Sequence, residues 1–93
     1  MSFQIRFEQG SLLDFQEGMK YYDSISNELA ERFHADFWDT IDKIKSNPLH
    51  YQKRYRNIRI VFTENFPFGV HYFIENEMIY VLRVLHTKRF FKT

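Results

Sequence analysis

The 93-residue chain contains no cysteine, which excludes a disulfide framework, a thiolate zinc site and a cysteine nucleophile. It has only three glycines and two prolines. Few positions therefore favour turns, and most of the chain is expected to be regular structure. No window approaches 18 consecutive apolar residues, so nothing reads as a membrane span. The opening Met1-Ser2-Phe3-Gln4-Ile5-Arg6-Phe7-Glu8 lacks a basic stretch followed by an apolar run, so no signal peptide is expected. A cytoplasmic location fits these absences.

What is present points to one small globular domain. Apolar residues make up 44% and charged residues 27%, the balance of a soluble folded chain rather than a disordered one. Aromatic side chains are abundant at 19%. The net charge of +1 conceals a split: residues 1–47 carry nine acids and five bases, whereas residues 48–93 carry three acids and eight bases. Such a division implies a polar molecule with one electropositive region.

The hydrophobic rhythm changes once along the chain. Phe3, Ile5 and Phe7 alternate with Gln4 and Arg6, the period of a strand with one buried face. Gln9-Gly10 is expected to end it. Ser11-Leu12-Leu13-Asp14 then fits a helix-capping pattern. Leu12, Phe15, Met19 and Tyr22 form one helical stripe interrupted by Gly18. After Asp23-Ser24-Ile25-Ser26-Asn27, a second helix is expected from about Glu28 to Lys45, with Leu29, Phe33, Phe37, Ile41 and Ile44 along one face. Ala30 and Trp38 widen that stripe. Asn47-Pro48 stops it, since proline donates no amide and disfavours helix at the preceding residue.

From Tyr55 onward the period is two. Ile58–Phe62, Val70–Ile74 and Met78–His86 read as three strands, joined by turns at Glu64-Asn65-Phe66-Pro67 and Glu75-Asn76-Glu77. The last strand is nearly all apolar and should be central. The expected architecture is α+β: a single βααβββ domain over residues 1–93, its helical hairpin on one face of a mainly antiparallel four-stranded sheet. The other face, partly open, should carry the polar residues and collect arginines.

These pieces, in this order, resemble the RelE/ParE superfamily of bacterial type II toxins, also known as plasmid stabilisation proteins. The matching segments are Phe7 to Tyr21-Tyr22, Arg32-Phe33 through Asn47-Pro48, Tyr55-Arg56-Asn57-Ile58-Arg59, Phe66-Pro67-Phe68-Gly69-Val70-His71-Tyr72, and Val81-Leu82-Arg83-Val84-Leu85-His86-Thr87-Lys88-Arg89. The resemblance implies a toxin neutralised by a cognate antitoxin whose disordered tail folds on binding, with growth arrest by binding DNA gyrase in the ParE branch. The alternatives are a RelE-like ribosome-dependent mRNA endonuclease or an inactive member of the fold. Gyrase or the ribosome and its message would be the target. No cofactor or membrane partner is implied, and an oligomer with itself or with the antitoxin stays open.

Ribonuclease chemistry through the 2′-hydroxyl needs a base, an acid and cations that hold the phosphate. On the nuclease alternative His86, Arg59 and Arg89 would be catalytic, since an imidazole changes charge near neutral pH and arginine matches phosphate with two parallel donors. Arg54, Arg56, Arg83 and Lys88 would bind the anion. His71 fits an exposed cross-strand role better than chemistry. Glu64 and Glu75 are possible bases, but no spacing places them near a phosphate. His34 and His50 have no ligand spacing, so no metal site is expected. Phe90-Phe91, where relatives usually continue with an acid or Asn and often Pro, would dock the antitoxin or target or fold back into the core, with base stacking the less favoured role. That ending, and the missing base, favour the binding reading over the nuclease.

Overall fold

The period-two opening becomes strand β1 (Gln4–Phe7) in a computed structural model that describes residues 3–90, with side chains described through residue 88. Helices α1 (Gln9–Asp23) and α2 (Asn27–Ser46) follow. Strands β2 (Lys53–Tyr55), β3 (Ile58–Phe62), β4 (Phe68–Glu75) and β5 (Met78–His86) come next, and the short helix α3 (Thr87–Phe90) ends the described chain. The sheet has five strands in the order β1-β5-β4-β3-β2. Only the β1–β5 pair is parallel. The largely apolar β5 lies inside the sheet, flanked by β1 and β4, and buries Ile79, Val81 and Val84.

The fifth strand is β2, which the sequence reading omitted. Its three residues Lys53, Arg54 and Tyr55 are all exposed, so no buried alternation announces it. It is held by backbone pairing with β3 through a two-residue turn at Arg56-Asn57, with Arg56 at φ 49°. The β4–β5 hairpin falls where Glu75-Asn76-Glu77 placed it. Asn76 sits at φ 58°, a left-handed conformation that asparagine tolerates better than most residues.

The first helix starts earlier than its capping pattern implied. Gln9 and Gly10 belong to α1, Glu8 occupies the cap without a side-chain bond, and the Ser11 hydroxyl donates to the Glu8 carbonyl from inside the first turn. Gly10 is the reason this end can lie against the sheet: a Cβ there would stand 2.9 Å from Arg83 Cδ and 3.2 Å from the Leu82 carbonyl oxygen. In α2 the expected cap is present, with Ser26 Oγ accepting from the Leu29 amide at 3.0 Å.

The helical hairpin covers one sheet face and builds the core there. Phe33, Phe37, Ile41 and Ile44 of α2 meet Val70, Tyr72, Ile79 and Val81, all buried. Gly18 admits Phe33, whose ring lies 2.8 Å from where a Cβ would be. Leu12 and Trp38, assigned to the apolar stripes, are instead substantially exposed. Trp38 closes the rim of the core with its ring edge-on to Phe7 at 5.6 Å.

The opposite sheet face does not carry the polar set that was expected. It presents Ile58, Ile60, Phe62, His71, Phe73 and Tyr80, because Val61 and Val70, paired with each other, take the helix side. Phe73 and Tyr80 stack at 4.9 Å.

Polar groups inside this framework are few, and two of them tie elements together. Asp36, in phase with the buried stripe of α2 and only 5% exposed, accepts from the backbone amides of Glu64 at 3.3 Å, Asn65 at 2.9 Å and Phe66 at 3.0 Å. It thereby ties α2 to the β3–β4 turn. Tyr72, whose burial pushes its phenol up to about 12, donates to the Pro48 carbonyl at 2.7 Å. Charge-assisted bonds to backbone amides are each worth about 1.5–3 kcal/mol and are not additive. Asp36→Ala is therefore expected to lower stability by about 2–4 kcal/mol in urea unfolding, with Asp36→Asn retaining part of it. Lys43→Ala, which breaks the exposed ion pair to Glu64, should leave the midpoint nearly unchanged.

Candidate functional site

Among the described residues, the cations proposed for an anion site do not converge. Arg59 lies opposite Tyr72 and two residues from Val61, so it takes the helix side of the sheet, where its guanidinium donates to the Tyr51 carbonyl. Arg54 lies over the Phe62 ring at 5.6 Å, on the far face. Arg56 is in the β2–β3 turn, and Lys88 is exposed in α3. Arg89 and Phe90 belong to the backbone of α3 with side chains outside the described set; Phe91 lies outside the described residues.

His86 and Arg59 share a face but stand at opposite ends of it. His86 pairs with Phe68, and Arg59 pairs with Tyr72, four residues further along β4. At about 3.4 Å per residue and 4.8 Å per strand, their Cα atoms are roughly 16 Å apart.

The phase of β5 is set by a bulge that periodicity did not reveal. Tyr72 pairs with Val81, but His71 pairs with Arg83, leaving Leu82 as the extra residue. Ile79 and Val81 are buried before the bulge and Val84 after it. His86 therefore shares its face with Val84 and not with Tyr80 or Leu82, as strict alternation had implied.

Beyond the bulge, α1 runs beside β5, and the Asp14 carboxylate joins the two. It accepts from Arg83 Nε at 2.7 Å, from the second Arg83 nitrogen at 3.0 Å and from the Val84 amide at 2.9 Å. These bonds favour the charged guanidinium. The elements enclose a cleft of about 530 Å³. Asp14, Glu17 and Tyr21 of α1 form one wall; Phe68, Arg83 and His86 lie across from them. The His86 ring is edge-on to Phe68 at 5.3 Å, and its Nδ1 accepts from the Lys88 amide at 3.2 Å.

This cleft is the candidate site. Of its charged residues, two are acids and one is an arginine already bound by Asp14. Asp14 and Arg83 offset each other, which leaves Glu17 as the unbalanced acid of the lining. Sequence reasoning chose His86 and Arg83 but missed Asp14 and Glu17. The available signal was their spacing with Tyr21, at i, i+3 and i+7 of one helix face.

His71, expected to be exposed, is fully buried on the other side of β4, because the aromatic residues around it exclude water. Its Nδ1 shares a 3.0 Å hydrogen bond with the Tyr55 hydroxyl. Among the described residues, no cluster of three acidic or histidine side chains has the arrangement of a metal centre, and no helix is long and apolar enough to cross a membrane.

The architecture is thus a helical hairpin on a five-stranded mixed sheet, with a cleft between α1 and strand β5. The same architecture occurs in a structure titled "Chromosomal ParDE TA system from P. aeruginosa", with a TM-score of 0.80 over 91% of this chain and 96% of that one. The two sequences are 15% identical, so the likeness is one of fold. A family model for the ParE toxin of the type II toxin–antitoxin system, parDE, matches residues 5–91, and the chain belongs to that family. Comparison with curated proteins returns no match.

Burial, reinforced by the Arg83 guanidinium, pushes the His71 imidazole down to about 4. The unfolded chain takes up this proton below about pH 6.5, whereas the folded chain resists it. The contribution is thus complete above pH 6.5 and lost as the pH falls toward 4. Relative to His71→Gln, the wild-type chain should lose about 3 kcal/mol more stability between pH 7 and pH 4, read from urea midpoints across that range.

Proposed function

We propose that this ParE-family toxin is held inactive by a cognate antitoxin and, when released, arrests growth by binding DNA gyrase rather than by cutting RNA. The observation that carries the reading is the charge around His86. A nuclease site needs cations free to meet a phosphate as charge builds on it. Here the cleft presents Asp14 and Glu17, and the guanidinium within it is occupied. Arg59, the other described member of the nuclease set, is bonded to Tyr51 and lies at the far end of the sheet. Membership of the ParE family supports gyrase as the target.

A binding toxin acts through area and shape. A chain of this size with an unpaired groove offers a partner large contact relative to its mass, and an antitoxin segment that folds as it docks can wrap much of it. Neutralisation is then direct occlusion of the target-binding surface.

Induced expression of the chain is expected to arrest growth, produce DNA double-strand breaks and, with purified enzyme, inhibit gyrase supercoiling. His86→Ala should keep both effects within about twofold, since binding does not need an imidazole acid. Cleavage of ribosome-bound messages that disappears in His86→Ala would establish the endonuclease instead. Normal growth with abundant soluble protein would sink both toxin readings.

A further inference from the structure

We infer that the cleft between α1 and β5 takes an arginine side chain from an extended, apolar peptide segment of a protein partner. This deepens the toxin reading, on which it rests for the existence of a partner.

Of the two acids in the cleft only Asp14 holds Arg83 by hydrogen bonds, while Glu17 attracts the same guanidinium from further away. Asp14 spends its oxygens on Arg83 and the Val84 amide, whereas Glu17, exposed one turn further on, has no ion-pair partner among the described residues. Tyr21 follows Glu17 by four positions, so ring and carboxylate are neighbours on the helix surface. The ring is 59% exposed and is held edge-on to buried Tyr22 at 5.0 Å. An aromatic face beside a free carboxylate suits a guanidinium, which can stack on the ring while donating two parallel bonds to the acid. Phe68 and Val84 in the floor are apolar and suit the methylene stem of the same side chain.

The occupant is a peptide for reasons of charge and size. A nucleic-acid backbone would bring phosphates against Glu17 and Asp14. The volume of about 530 Å³ exceeds what one side chain needs and leaves room for flanking apolar residues. The partner segment that reaches this side of the toxin is therefore basic at its anchor, complementing a half-chain that carries nine acids against five bases.

The test is titration of the full-length isotope-labelled chain with blocked leucine–X–leucine tripeptides, X being arginine, lysine, glutamine or glutamate, followed through backbone amide resonances. The arginine peptide should shift Tyr21, Val84 and Leu85 and bind about tenfold or more tightly than the glutamine peptide, the factor typical of a charge-assisted bidentate contact. Glu17→Gln should abolish that preference and Tyr21→Ala should weaken it, whereas Glu31→Gln, in the neighbouring groove between the two helices that Glu17 also borders, should leave it intact. Equal binding of the arginine and glutamine peptides, or shifts confined to the other groove, would overturn the proposal. So would binding of acetyl-arginine amide as tight as that of the peptide, which would mark a small-cation site. Growth arrest reports on the toxin reading alone: a chain that failed to arrest growth could still show the arginine preference, and a toxic one could lack it.

Discussion

The buried carboxylate of Asp36 is the interaction on which the two-layer arrangement depends. A charge almost removed from water is tolerable only when donors replace the water. Here three successive backbone amides of the β3–β4 turn do so, with the Asn65 side chain adding a fourth donor at 3.4 Å. The turn gains partners for amides that no strand pairs, and α2 is fixed against the sheet at one rotation about its axis. That rotation points Phe33, Phe37, Ile41 and Ile44 into the core. Thr63 reinforces the same turn by donating its hydroxyl to the Phe66 carbonyl.

A second carboxylate repeats the device on the first helix. Asp14 reaches the one stretch of β5 that β1 has ceased to pair, taking up the Val84 amide and the Arg83 side chain together. Each helix thus delivers one acid to backbone that the sheet leaves open. The consequence for function is electrostatic. Arg83 is neutralised where an anion would have to enter, while Glu17 and Tyr21 remain presented beside it. Among the described residues, Arg54, Arg56 and Arg59 lie away from this cleft.

Much of the fold was legible because each element announces itself by local chemistry. Asn47-Pro48 stops α2, Asn76 turns the last hairpin, and the nearly all-apolar run of Met78–His86 marks a strand with neighbours on both sides. The gaps have equally physical origins. Strand β2 is exposed along its length, so nothing in its side chains encodes pairing. Gly10 looked like a terminator but is a contact point, since its missing Cβ admits Arg83. Asp36 was hidden among the charges of α2, although its phase with Phe33 and Thr40 placed it inward. Of the candidate site, His86 and Arg83 were found through the family resemblance, and the acids that change their meaning were not.

The amino-acid order alone determined the rhythm: two amphipathic helices, then a pleated meander, on a scale of three to seven residues that neighbours along the chain can enforce. Which side each strand shows to the helices was decided only in three dimensions. One extra residue at Leu82 reverses the facing of everything after it. The partners that settle the charge of the cleft, Asp14 and Arg83, are 69 positions apart. Pairing at that separation arises from the packing of layers, and no local pattern contains it.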